Sequence, residues 1–104
     1  GRLDALILKT LTAGPRHGYA IAKFIEDASA ETVVVEEGSL YPALYKLEEQ
    51  GLVVADWGIS ENNRRAKFYR LTAAGKKQLR ASHDYWARFA TAVTRVLETA
   101  PRSA

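Results

Sequence analysis

The side chains best suited to chemistry in this chain are cations, and they are unevenly spread. Arg64, Arg65, Lys67, Arg70, Lys76, Lys77 and Arg80 follow one another with no acid among them. Glu26, Asp27, Glu31, Glu36, Glu37, Glu48, Glu49, Asp56 and Glu61 all precede them. The net charge is only +3, so the total says little, but its separation along the chain says more. A local stripe of guanidinium and ammonium groups is what an anionic polymer surface selects. A merely solvated basic face has the same composition, so the neighbouring residues must decide. Asn63, Arg64, Arg65 and Lys67 end a polar stretch that begins at Gly58. On an exposed hairpin tip, such amide and guanidinium groups can bind phosphates or enter a minor groove.

A second set lies at helical spacing. Leu40, Leu44 and Leu47 mark an inward side, and Ser39, Tyr41, Pro42, Tyr45 and Lys46 occupy the other. Hydroxyl, aromatic and cationic groups on one helix can reach base edges, thymine methyls and phosphates. If Tyr41 and Tyr45 packed at the domain surface instead, they would share this spacing. His17-Gly18-Tyr19 opens another helix, where free backbone N–H groups suit a phosphate. Tyr19 could equally pack as a core or hinge residue.

Other chemistries find little support. There is no cysteine, hence no disulfide or thiolate metal site. His17 and His83 are far apart in sequence and lack acids at metal-ligand spacing, so no metal and no cofactor are expected. No paired carboxylates, activated nucleophile or glycine-rich phosphate loop suggests an enzyme. No apolar run approaches the roughly 18 residues a membrane span needs. Gly1-Arg2-Leu3-Asp4 lacks the basic-then-apolar layout of a secretory leader, so a cytoplasmic protein is expected.

Periodicity supplies the elements that must position these groups. Leu3, Leu6, Ile7 and Leu11 predict a helix over 2–12, ended by Gly14-Pro15. Ile21, Phe24, Ile25 and Ala28 predict a second over 17–29, with an end blurred by Ala28-Ser29-Ala30. Thr32–Val35 is β-branched and extended in character. A third helix opens within Glu36–Ser39 and runs to Gln50, with Gly51 as a left-handed C-terminal residue. Pro42 fits easily if this helix begins near Ser39, and must loosen it if it begins at Glu36. Strands are predicted over 52–57 and 66–71, joined by a polar tip longer than a tight turn. Thr72 can cap a last helix over about 73–99, roughly 40 Å long.

Three helices, a strand, a basic hairpin, a strand and a long helix follow the order of a mainly α (α+β) winged helix-turn-helix. Residues 1–72 would form the winged-helix domain, 73–100 a dimerisation helix and 101–104 a tail. On the last helix Leu79, Trp86 and Val93 are seven apart, interleaved by Ser82 or His83, Phe89 or Ala90, and Val96 or Leu97. A core of three short helices cannot cover so long a stripe, and a second copy is the simplest partner. Leu79, His83, Trp86, Phe89, Val93, Val96 and Leu97 are thus the expected homodimer contacts. A winged-helix protein-interaction module is the main rival, and the cationic tip argues against it.

Several stretches together resemble the PadR family of bacterial transcriptional regulators. They are Leu6–Leu11, Gly14–Tyr19, Glu37–Leu44, Leu47–Leu52 and Arg64–Gly75. The resemblance covers about residues 2–97, and Trp57–Lys67 looks like a subgroup common in acidobacteria. It implies a homodimeric repressor on an inverted-repeat operator in double-stranded DNA, commonly relieved by a small aromatic effector. The single C-terminal helix resembles the short-tailed members. There, a tryptophan at the position of Trp86 stacks on flat ligands, so Trp86, Tyr85 and Lys9 are candidate ligand contacts.

Overall fold

A computed structural model describes residues 2–102. Helix α1 spans Arg2–Thr10 and tightens into a 3-10 turn over Leu11–Ala13 before Gly14-Pro15. Ile7, Leu8 and Leu11 are buried, and Thr10 among them donates its hydroxyl to the Leu6 carbonyl at 2.9 Å. Strand β1 is the pair Arg16–His17, and α2 spans Gly18–Ala28. Helix α3 spans Glu37–Glu49, the antiparallel strands β2 and β3 span Val53–Ile59 and Arg65–Leu71, and α4 spans Ala73–Glu98. The core joins Ile21 and Ile25 of α2 and Leu40, Leu44 and Leu47 of α3 with Val53 and Tyr69 of the sheet. Complete burial of aliphatic side chains of this size contributes about 1.5–3 kcal/mol each.

The winged-helix order expected from the pattern is therefore present, with three local corrections. First, β1 is an additional strand. The sheet order is β1-β3-β2, with Arg16 opposite Tyr69 and His17 opposite Phe68. Second, Thr32–Val35 is a loop and joins no ladder. Its backbone is held by α2 side chains instead, since Val33 donates to Ser29 Oγ at 3.1 Å and Val35 to Glu26 Oε2 at 3.0 Å. Third, both wing strands run further than expected, to Ile59 and from Arg65. The tip is correspondingly short: Asn63 donates to the Ser60 carbonyl at 2.9 Å and itself takes φ 57°. A turn closed by a left-handed residue is a common three-residue hairpin connection, and asparagine tolerates that φ.

Two helix ends use the same device with different residues. At α3, Leu52 N–H reaches Leu47 O and Gly51 N–H reaches Glu48 O, each at 3.0 Å, with Gly51 at φ 73°. This is the six-to-one and five-to-two closure that favours glycine. At α2, Glu31 donates to Glu26 O and Ala30 to Asp27 O, and the left-handed position is held by Ala30 at φ 51°. An alanine there carries the Cβ penalty that Gly51 escapes. Helix α3 starts at Glu37, so Pro42 sits inside it. Proline cannot donate to the carbonyl four residues back, that of exposed Gly38.

Helix α4 is rooted at its first turn. Thr72 Oγ1 accepts the Gly75 N–H at 3.0 Å, and its single proton is shared between the Gly51 and Leu52 carbonyls, at 2.7 and 3.0 Å. A Cβ on Gly75 would lie 2.1 Å from Leu52 O, so only glycine permits this approach. We predict that Gly75→Ala lowers stability by about 2–3 kcal/mol, because the obstacle is backbone. Ala30→Gly should raise it by about 1 kcal/mol. Urea unfolding midpoints check both, and a neutral Gly75→Ala would refute the close approach.

Candidate nucleic-acid interface

The sheet alternates sides residue by residue, and its register is explicit. Val53, Ala55, Trp57 and Ile59 pair with Leu71, Tyr69, Lys67 and Arg65, so these eight share one face. Its inner end is core, where Val53 and Tyr69 are buried. Its outer end is the open wing. Between this outer part and the starts of α2 and α3 lies a groove of about 650 Å³ lined by His17, Gly18, Tyr19, Tyr41, Trp57, Arg64 and Arg65, among others.

His17 closes the N-terminus of α2. Its Nδ1 accepts the Ala20 N–H at 3.3 Å, which satisfies one of the free donors that a phosphate could otherwise have used. Its ring meets Phe68 edge-on, with centroids 5.4 Å apart, on the strand that β1 joins. Gly18 is buried because Tyr41 lies across it: a Cβ there would be 2.7 Å from the Tyr41 hydroxyl. Tyr41 thus bridges α3 to the start of α2 while remaining half-exposed. Tyr19 of α2 is exposed at the groove, and Ser39, Pro42, Tyr45 and Lys46 of α3 are exposed, with Lys46 lining a separate cleft beside Asp4 of α1 and Gln78 of α4.

The wing cations differ from one another. Asn63 and Arg64 are at the tip, exposed, with the Arg64 N–H on Ser60 Oγ at 3.3 Å. Arg65 and Lys67 belong to β3 rather than to the tip. Lys67 is half-buried, with its ammonium 3.2 Å from Glu48 Oε1 of α3 and 5.6 Å from the Tyr69 ring centroid. It ties the wing to α3. Sequence reasoning did not find Glu48, Tyr69 or Trp57 as members of this region. The period-two spacing 53, 55, 57, 59 was a usable signal, but the strand was ended at Trp57.

The second half of α4 runs clear of the core. Leu79 packs against the chain's own core, and Trp86 is half-buried. Tyr85, Trp86 and Phe89 form a ring cluster with centroids 5.7–5.8 Å apart. Val93 is partly covered, whereas Val96 and Leu97 are 73% and 79% exposed in the single chain. His83 is exposed beside Asp84, 3.9 Å away, and Lys9 is exposed in the last turn of α1.

Burial pushes the Tyr69 hydroxyl above the usual phenol range. The Lys67 ammonium opposes that shift, and Glu48 and Tyr41 reinforce it. The folded chain therefore keeps this proton at a pH where the unfolded chain has released it. The associated stability is intact below pH about 10 and is lost as pH rises above it. In urea titrations between about pH 9 and 11, Tyr69→Phe should lose less stability than the parent chain. Parallel curves would contradict this assignment.

Comparison with known proteins agrees with this geometry. A family model described as the PadR-like transcriptional regulator family matches residues 7–81. The chain is 29% identical over 83 residues to the negative transcriptional regulator PadR of Bacillus subtilis, covering 80% of this chain and 44% of that one. It thus spans less than half of that relative. It resembles a solved transcriptional regulator from Clostridium thermocellum, with TM-score 0.80, 30% identity and coverage of 89% and 90%. It also resembles a PadR family transcription regulator from Clostridium difficile, with TM-score 0.78, 28% identity and coverage of 93% and 99%. A winged helix whose cationic hairpin faces the exposed side of its third helix, matched by this family over most of its length, belongs to the PadR-like family of transcriptional regulators.

Proposed function

We propose that the chain acts as a dimeric repressor that reads an inverted repeat in double-stranded DNA. The observation that carries this reading is the groove between α3 and the wing. Tyr41 stands half-exposed on one side and Arg64 and Arg65 on the other, while Tyr45 and Lys46 are exposed further along α3, Lys46 beside Gln50 and Gln78. In this reading α3 enters a major groove, with Ser39, Tyr41, Pro42 and Tyr45 toward base edges and Lys46 toward phosphate. Asn63, Arg64 and Arg65 contact the backbone beside it. His17, Gly18 and Tyr19 contact a phosphate at the start of α2, through the donors that His17 itself leaves free. Lys67 contributes chiefly by bracing the wing, since its charge is engaged by Glu48.

Residues 1–72 then form the reading head and 73–100 the pairing helix. The apolar stripe of α4 supports pairing with a second copy through Trp86, Phe89, Val93, Val96 and Leu97, with His83 at its border. Leu79 starts the stripe within each protomer. Repression is the sense favoured by the similarity to the negative regulator of B. subtilis. An effector is a flat aromatic compound seated on Trp86 and Tyr85 near Lys9. It releases DNA by favouring a different spacing of the two heads, which requires unequal affinity for the two spacings.

Anisotropy with DNA from upstream of the chain's own gene, across a salt series, tests the first part. Preference over scrambled DNA and a steep fall with salt are expected. Removing Arg64 and Arg65 together should flatten the logarithmic salt slope by about two. An unchanged slope would remove the wing from the interface. Val93→Glu combined with Leu97→Glu should convert the dimer to monomers in sedimentation while leaving the helical circular dichroism intact. A persisting dimer would refute pairing through α4.

A further inference from the structure

The wing carries one group that the reading above leaves idle. Trp57 is 61% exposed, although it sits inside β2 on the sheet face that continues the core. An indole left in water gains little from burial, so packing does not account for it. What stands against it is Arg65, whose guanidinium carbon lies 4.5 Å from the ring centroid. The register explains the meeting. Trp57 pairs with Lys67 and Ile59 with Arg65, so Trp57 and Arg65 are diagonal neighbours on one face.

The chemistry of this contact differs from that of the other β3 cations. Lys67 is held by the Glu48 carboxylate and Arg70 by that of Asp56. A carboxylate orders a cation but cancels its charge and occupies its donors. An aromatic face also attracts the cation, yet supplies no acceptor oxygen. The guanidinium keeps its charge and its N–H groups for another partner. Both residues line the groove that also contains Tyr41 and His17. An ordered but unneutralised guanidinium at that place is suited to a phosphate, because part of its side-chain ordering is complete before binding.

We propose that Trp57 is a positioning residue for DNA binding, acting through Arg65, which it holds ready over the groove. This rests on the reading of the wing as a DNA contact. The test is a double-mutant cycle in the full chain, with anisotropy on a random-sequence duplex at low salt, since phosphate contact does not depend on sequence. Trp57→Leu should weaken binding roughly two- to fivefold, the range of an exposed cation–aromatic contact. Trp57→Phe should restore most of that loss. In an Arg65→Ala background, Trp57→Leu should have no further effect. Arg65→Ala should lower the salt slope by about one, whereas Trp57→Leu should leave it unchanged. In the free protein, the ring-current shift of the Arg65 side-chain protons should vanish in Trp57→Leu and persist in Trp57→Phe. If Arg65→Ala weakens binding but Trp57→Leu costs as much in its presence, Trp57 does not act through Arg65 and the proposal is wrong. If Arg65→Ala changes neither affinity nor slope, the wing reading itself falls and the proposal with it.

Discussion

The register of the β2–β3 pair is the constraint from which most of the molecule follows. One face of this hairpin begins as core at Val53 and Leu71 and ends as a cationic edge at Ile59 and Arg65. Between these ends lie Ala55 with Tyr69, and Trp57 with Lys67, so a single surface passes from the buried Val53 and Tyr69 to the exposed Ile59 and Arg65. A slip of one residue would turn every one of these side chains to the other side. The buried Val53 and Tyr69 near the base therefore set the orientation of every group toward the tip. Lys67 is then directed at Glu48, and Arg65 at the indole of Trp57.

A second constraint joins the hairpin to the helices on either side. The Leu52 carbonyl lies at the end of α3 and receives both the N–H and the hydroxyl of Thr72, at 3.2 and 3.0 Å. The same carbonyl stands against Gly75. One residue thus belongs at once to the closure of α3, through its N–H, and to the base of the wing and the first turn of α4, through its carbonyl. Tyr41 performs a similar task at the other end of α3, where it lies on Gly18. Helix α3 is consequently held at both ends by contacts that small residues make room for.

Features with local causes were legible in the sequence. Leu40, Leu44 and Leu47 show their helical face by spacing alone. Gly51 announces a left-handed helix end, and Thr72 a helix start, because the group each satisfies is only a few residues away. Features with distant causes were not. Arg16–His17 becomes a strand only because β3 offers a free edge beside it. Lys67 looks like one more wing cation until α3 brings Glu48 to it. The end of α2 was blurred for a different reason: Ala30 adopts a conformation its side chain disfavours, so composition could not mark it. The hairpin tip appeared long because Gly58 and the amides around it resemble loop, although Gly58 is paired with Ala66 and packs on the Phe68 ring.

The rooting of α4 at Gly75 also has a mechanical meaning. A helix of 26 residues is about 39 Å long; this one is clamped at its first turn, braced on the core at Leu79, and runs clear of it in its second half. Turning it by about 5° at the root sweeps its far end through about 3 Å, close to the spacing of successive nucleotides along a DNA strand. The contact of Gly75 with the Leu52 carbonyl is thus a fulcrum with a long throw. In the dimeric reading proposed above, its tightness would set how faithfully a displacement at Val96 and Leu97 reaches α3. A softer joint would absorb that displacement as bending, and the two ends of the molecule would move independently.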